Sequence, residues 1–465
     1  MDETTPSVSL VSCMHFVRRG VAKAVPEKIE LTEKELEKII KQTADDLRIT
    51  ERAEQGLDDS DSETNEDNAA PVPADPNDEF NFAKYDDEDN LSNPIGLGTI
   101  ATLPNLGDLS EDVQIRTDGP DSDEEDDIIK SDDNLLLVGH VESDASILEV
   151  YVFNKEEGSF YVHHDIILPW FPLCIEWLSH DPTDPHPGNL CALGGMDPVI
   201  QVWDLDIENC LEPAFKLGKK PNKKKKIKRV GHKDAVLDLS WNRNFSHVLA
   251  SGSADNTVLL WDLDQGTPHT TLDYFEDKVQ SITFHPLEAQ TLLTGACDGR
   301  ARVTDCRTPT ACREWALPTE IERVVWDRHN PFCFVMSNNT GKVAYVDCRQ
   351  DEPLWVIEAH EKEVTGLVIS DNIPGLMITV GTDAKMKTWD ISSAAVQVSE
   401  RQCRVGAALC TAVCPDDPLS LAVGGDNKQC CIEMVDLSAS EQVIDRFGSR
   451  PRVTIPVEDS NSMES

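Results

Sequence analysis

The stretch GHKDAVLDLSWNRNFSHVLASGSADNTVLLWDLD, Gly231 to Asp264, decides the fold. It opens on a strand-like run marked by Leu239 and Trp241, reaches a turn at Asp255, and closes on a strand ending at Asp262. Its closing third recurs along the chain as GGMDPVIQVWD, GSADNTVLLWD, GACDGRARVTD, SNNTGKVAYVD, GTDAKMKTWD and GGDNKQCCIEMVD. These segments end at Asp204, Asp262, Asp305, Asp347, Asp390 and Asp436, spaced by 58, 43, 42, 43 and 46 residues. A seventh, weaker member, VGHVESDASILEVYVFN, ends at Asn154. Self-similarity at this period, with room for four short strands per unit, predicts an all-β, seven-bladed propeller.

Each blade needs an inner strand, and an apolar pair two residues apart marks it. The pairs are Ile175/Trp177, Leu239/Trp241, Ile282/Phe284, Val324/Trp326 and Leu367/Ile369, with a looser LCTAV from Leu409. The first blade lacks such a pair immediately upstream, because residues 110–133 are acidic. SLVSCMHFVRRG from Ser9 supplies Met14/Phe16 in the same frame. Residues 1–17 are therefore predicted to complete blade one, because an incomplete blade leaves unpaired backbone edges. The propeller proper is predicted over 134–448, with a C-terminal tail over 449–465.

The GH…D…WD pattern resembles the WD-repeat family. In that family a His, a Ser or Thr, the turn Asp and the strand Trp form a hydrogen-bonded chain within a blade. By position the resemblance implies His232, Ser251, Asp255 and Trp261 in one blade, and His360, Thr379, Asp383 and Trp389 in a later one. Such a chain is structural, since a buried indole N–H and an imidazole need partners. Other blades depart from the pattern. Thr304 replaces the Trp, and the blade ending at Asp347 has no matching His, so apolar packing alone is expected to hold them.

Charge divides the chain unevenly. It carries 42 basic and 85 acidic residues, a formal net charge of −43. Residues 45–133 hold 29 acids against five bases. That window is poor in aromatics and in periodic apolar sequence, so residues 57–133 are expected to be a disordered insertion looping out of blade one. It would solvate the chain, repel nucleic acid, or bind basic partners. Residues 18–56 read as a linker and an amphipathic helix, with Thr32 and Glu35 as a capping box and Leu36, Ile39, Ile40 and Leu47 at helical spacing. Ser60, Thr64 and Ser122 sit upstream of acids and are candidate phosphosites that would add charge to this arm.

The basic residues cluster elsewhere. Lys219, Lys220, Lys223, Lys224, Lys225, Lys226, Lys228 and Arg229 occupy one run, within a loop at 218–230. The 58-residue spacing exceeds the usual 43 by the length of this excursion, which places it between blades two and three. Pro221 and dense like charge are expected to exclude helix and strand there. The run reads as a nuclear-import signal, or as a nonspecific RNA or DNA contact made through phosphates. The absence of interleaved aromatics argues against base stacking.

DCR occurs at Asp305–Arg307 and again at Asp347–Arg349. In WD-repeat proteins an Arg two positions after the repeat's Asp, in consecutive blades, resembles the motif that docks substrate receptors on cullin-type ubiquitin ligase adaptors. Arg307 and Arg349 are the candidate docking residues, although neither blade has the preceding Trp. The alternative is that both pair with acids of neighbouring blades.

A narrower resemblance covers nearly the whole chain outside the acidic insertion. FVRRGVAK, YVHHDIILPWFPLCIEWL, PVIQVWDLDIENCLEPAFKLG, the Lys-rich run and GHKDAVLDLSWN together resemble the periodic tryptophan protein 1 family. That resemblance implies a nuclear and nucleolar protein of ribosome biogenesis, rRNA production and chromatin association. The fourteen cysteines form no CxxC pair, and Cys410, Cys414, Cys430 and Cys431 lack recognisable ligand spacing. The HHD at His163–Asp165 reads as surface or packing chemistry. There is no phosphate-cradling glycine loop, nucleophile elbow or metal-ligand pattern. The expectation is a soluble, non-catalytic scaffold without cofactor or membrane contact, monomeric within preribosomal or chromatin complexes. Two alternatives are a cullin-ligase substrate receptor and a histone-binding propeller that regulates transcription.

Overall fold

Strands buried on both faces must be apolar throughout, whereas strands with one wet face alternate. The chain obeys both patterns within one repeat. Val258–Asp262 (VLLWD) is buried almost end to end, while Thr267–Leu272 alternates exposed and half-buried residues up to the buried Leu272. Stacking such units side by side leaves each middle strand sandwiched between neighbouring blades. The structure, a computed structural model, describes residues 9–29, 128–143, 145–222, 226–308 and 312–453. By internal contacts the chain divides into a unit of residues 1–30 and 121–465 and a second of 31–120, and every described residue belongs to the first. The N-terminal helix, residues 57–127 of the acidic insertion, Ser60, Thr64, Ser122 and Lys223–Lys225 lie outside the described residues.

Seven antiparallel sheets radiate from an axis, six of four strands and one of three. The inner strands are Ser9–Val17, Pro172–Leu178, Val236–Trp241, Val279–Phe284, Ile321–Trp326, Gly366–Ile369 and Ala408–Val413. Each touches the next around the ring, and Ala408–Val413 closes it against Ser9–Val17. Every apolar pair read from the sequence falls on one of these strands.

Blade one is discontinuous in sequence. Ser9–Val17 pairs antiparallel with Asn134–Glu142, which pairs with Ala145–Asn154 and then with Ser159–Leu168. Val11, Cys13, Met14, Phe16 and Val17 are buried by this pairing. No strand passes between blades seven and one among the described residues, so side chains seal the seam. Gly424 lies so close to Val11 that a Cβ there would stand 2.6 Å from Val11 Cγ1. Asn134 Nδ2 donates to Val17 O (3.1 Å) and to Asp416 Oδ2 (2.6 Å), and the Arg19 backbone N–H donates to the same carboxylate at 2.9 Å. Lys155 adds an ion pair to Asp417 at 2.6 Å.

Two features depart from the sequence reading. Beyond Ile432–Asp436 blade seven gains no fourth strand among the described residues, and the chain enters a short helix, Glu441–Phe447. Its Val443 and Phe447, one turn apart, pack with Val435, Leu437 and Val405. Residues 449–453, the start of the C-terminal tail, are tied to blade six: Arg450 donates to Pro374 O at 2.6 Å, and Val453 N to Asn372 O at 2.8 Å. Arg446 and Arg450 both reach the buried Asp390 carboxylate. Burial alone would raise that carboxyl, but Arg450, Ser392 and Arg446 outweigh it and hold it at about 2.

Candidate functional site

The two predicted hydrogen-bonded chains form. Trp261 Nε1 donates to Ser251 Oγ at 2.7 Å, Ser251 Oγ meets His232 Nε2 at 2.7 Å, and His232 Nδ1 meets Asp255 Oδ2 at 3.2 Å. An indole N–H only donates, so the arrangement that satisfies every group passes the hydroxyl proton to Nε2 and leaves Nδ1–H for Asp255. Burial opposes ionisation of Asp255, but His232, Thr257 and the Lys233 N–H prevail and hold its carboxyl well below the usual range. Trp389, Thr379, His360 and Asp383 repeat the chain at 3.0, 2.8 and 2.9 Å. Both imidazoles are fully buried, so they bind no external substrate.

The variant blades substitute piece by piece. In blade four Phe275 stands at the position of His232, and Arg302 lies over its ring at 5.3 Å to reach Asp298 at 2.7 Å. Both ends of that ion pair are only 4% exposed. Thr304, in place of the Trp, meets Tyr274 Oη at 2.5 Å. The expectation of apolar packing alone is therefore wrong for blade four, where a buried Arg–Asp pair replaces the His–Asp pair. In blade five Leu317, Met336 and Val346 occupy the corresponding positions within one apolar cluster. Blade two keeps a fully buried Trp203, but Leu193 stands where the hydroxyl should be, and the Trp203 N–H has no partner among the described residues.

A central channel of about 470 Å³ runs inside the ring of inner strands. The residue between each apolar pair faces it, including His15, Glu176, Ser240, Thr283, Val325 and Val368. Its polar groups clamp blade to blade. Glu176 Oε1 accepts from Trp241 N at 3.2 Å, Asp238 Oδ2 from Ile282 N at 2.8 Å, and Ser240 Oγ from Phe284 N at 3.0 Å. Burial raises the Glu176 carboxyl to about 7 and lowers His15 to about 4, the latter helped by Arg243. The sequence signal for this lining was the middle residue of each apolar pair.

The backbone of the Lys-rich loop is paired. Lys219 and Val230 exchange backbone hydrogen bonds at 2.8 and 3.0 Å, and Asn222 and Ile227 do so at 3.0 and 2.9 Å. The described residues of the run pair as the two arms of a hairpin, with Lys219, Lys220, Lys226, Lys228 and Arg229 exposed and Pro221 between the two bridges. Gly218 and Gly231, at φ +101° and +93°, form its base against Trp261. Lys220 pairs with Asp197 at 2.5 Å, and Arg229 Nη1 donates to His232 O at 3.0 Å. Lys219, Lys226 and Lys228 carry the remaining described charge of the run.

Arg307 and Arg349 pair with neither neighbouring blade. Each forks back onto the Asp of its own tripeptide, Asp305 at 2.6 Å and Asp347 at 2.7 Å, and each side chain remains about two-thirds exposed. Arg313 instead makes the cross-blade contact, to Asp351 at 2.7 Å. The four C-terminal cysteines do not gather. Cys410 donates to Val11 O and Cys414 to Asn134 Oδ1, Cys430 turns to Ile432 O, and Cys431 lies 3.9 Å from His140. His163 and His164 are not surface residues: both rings are buried, against Glu208.

The family model "WD domain, G-beta repeat" matches residues 224–262. The chain is 44% identical to the Drosophila melanogaster "Periodic tryptophan protein 1 homolog", covering 92% of this chain and 94% of that one. It is 30% identical to "Periodic tryptophan protein 1" of Saccharomyces cerevisiae, covering 95% and 90%. It also resembles the "Ribosome biogenesis protein WDR12 homolog" of Drosophila mojavensis, at 24% identity over 45% of this chain and 50% of that one. Likeness of this extent, on a seven-bladed frame that carries the repeat's own hydrogen-bonded chains, places the protein in the periodic tryptophan protein 1 family of WD-repeat proteins.

Proposed function

We propose that this protein is a non-catalytic scaffold of ribosome biogenesis, which supports rRNA production in the nucleus and nucleolus by holding partner proteins on its propeller. The observation that carries this reading is similarity along nearly the full chain to periodic tryptophan protein 1, joined by partial similarity to a second protein named for ribosome biogenesis. The chemistry agrees. The His–Asp pairs are consumed in buried blade networks, and the polar residues of the channel are engaged in clamping strands. The Lys hairpin supplies the import signal, with contact to RNA phosphates as its second use.

Sedimentation tests the reading. A tagged full-length chain in nuclear extract should migrate with preribosomal particles and shift to light fractions after RNase. Migration as a free monomer in untreated extract would overturn it. A second reading, docking on a ubiquitin-ligase adaptor, is favoured by the two exposed arginines in adjacent blades. It requires that changing Arg307 and Arg349 to Ala abolish adaptor capture while leaving sedimentation intact.

A further inference from the structure

The outer strand of blade one contains an irregularity with a chemical consequence. Across from Ala145–Asn154, Val150 pairs with His164 and Tyr151 with Val162, so the register shifts at His163, the extra residue of a bulge. Neighbouring side chains on a regular strand point to opposite faces, whereas a bulge re-aims one of them. Here the two imidazoles meet, with Nδ1 atoms 3.0 Å apart and rings near perpendicular. Glu208, in the short strand Ile207–Glu208 on the connection to the outer strand of blade two, brings Oε1 to 3.7 Å from His163 Nδ1. The ligand atoms of these three residues all lie within 4.8 Å of one another.

The cluster is buried and under-satisfied. The His163 side chain is 1% exposed, and His164 and Glu208 are 8% and 7% exposed as residues. Glu208 Oε1 and His164 Nε2 have no hydrogen-bond partner among the described residues. A buried carboxylate oxygen left unmet beside two imidazole Nδ1 atoms points to a missing group. That group must accept lone pairs from two imidazoles and one carboxylate.

We propose that His163, His164 and Glu208 bind a divalent transition-metal ion, zinc by donor type. Two ligand atoms on one tetrahedral zinc, each about 2.0–2.1 Å away, stand about 3.3 Å apart. The observed 3.0 and 3.7 Å bracket that edge. Zinc accepts two imidazoles and a carboxylate, with water completing the tetrahedron. The other oxygen of Glu208 faces Lys28 Nζ at 3.5 Å. Lys28 belongs to Glu27–Lys28, which pairs in parallel with Ile207–Glu208. The ion thus joins blade one to the connection within blade two on which Glu27–Lys28 pairs, as a structural pin.

The test uses the full-length chain purified without chelator. Elemental analysis should find about one zinc per chain, and stripping with chelator should lower the melting temperature until zinc is restored. His164→Gln and Glu208→Gln should each reduce bound zinc at least tenfold and abolish the response of melting to zinc. His180→Gln, at a half-exposed His–Asp pair outside the cluster, should retain both. X-ray absorption at the zinc edge should show nitrogen and oxygen ligands without sulfur. A folded parent chain that holds no zinc and melts identically with and without added ion overturns the proposal. So does zinc retained at parental stoichiometry in both substituted chains, or sulfur ligation.

Discussion

At the scale of single residues, the blade chains and the channel make separable predictions. Ser251 Oγ is shared by Trp261 and His232, both buried. Ser251→Ala should cost about 1–3 kcal/mol for each group it orphans, read as a fall in melting temperature. An unchanged melt would show that the hydroxyl is dispensable, as Leu193 makes it in blade two.

His15 and Glu176 face each other at 3.7 Å and titrate in opposite senses. His15, lowered to about 4, is protonated first in the unfolded chain, so stability is lost as pH falls from 6.5 toward 4. Glu176, raised to about 7, keeps its proton longer in the folded chain, so stability is lost as pH rises from 4.5 toward 7. Relative to the parent, His15→Gln should gain stability as pH falls through the first window, and Glu176→Gln as pH rises through the second. Melts across pH 4–7 check both slopes, and parallel curves would refute the assignment.

At the scale of elements, the strand Ser9–Val17 carries the heaviest claim. It buries Val11, Met14, Phe16 and Val17, each contributing about 1.5–3 kcal/mol, against a typical domain stability of about 5–15 kcal/mol. Deleting residues 1–17 should abolish cooperative unfolding of the whole propeller. A truncated chain that melts like its parent would show that blade one closes without it.

This strand was legible in the sequence, because Met14 and Phe16 share the frame of Ile175/Trp177 and Leu239/Trp241. The helix Glu441–Phe447 was not, since a seven-residue element gives barely one repeat of its apolar pair. Ser440 before it and Gly448 after it were the available boundary signals. The Lys-rich run was read as a loop without helix or strand, and its paired backbone went unread because charge density hides it. The His163 bulge is a property of register with a distant strand, which no local pattern encodes. Blade four's Arg302–Asp298 pair escaped for a related reason: alternating charges along a strand read as a wet face until the neighbouring blade covers them.

At the scale of the whole molecule, two electrostatic features lie apart along the sequence. The chain's net charge of −43 is concentrated upstream of Asn134, while the densest positive charge sits on a hairpin between blades two and three. That hairpin closes on itself through paired backbone bonds, so its side-chain charge is separable from the fold. Changing its seven lysines to Gln should leave melting unchanged and move the protein from nucleus to cytoplasm, as seen by imaging. Continued nuclear accumulation would show that the signal lies elsewhere. The propeller was readable from spacing alone, whereas the partner surfaces were not, since repeat periodicity reports packing and says nothing of what a face holds.

The most direct test of the scaffold reading is pulse labelling of ribosomal RNA in cells depleted of the protein. The expected result is reduced mature rRNA with accumulated precursors, restored by the full-length chain but not by the chain lacking residues 1–17. Unaltered rRNA production after complete depletion would contradict it.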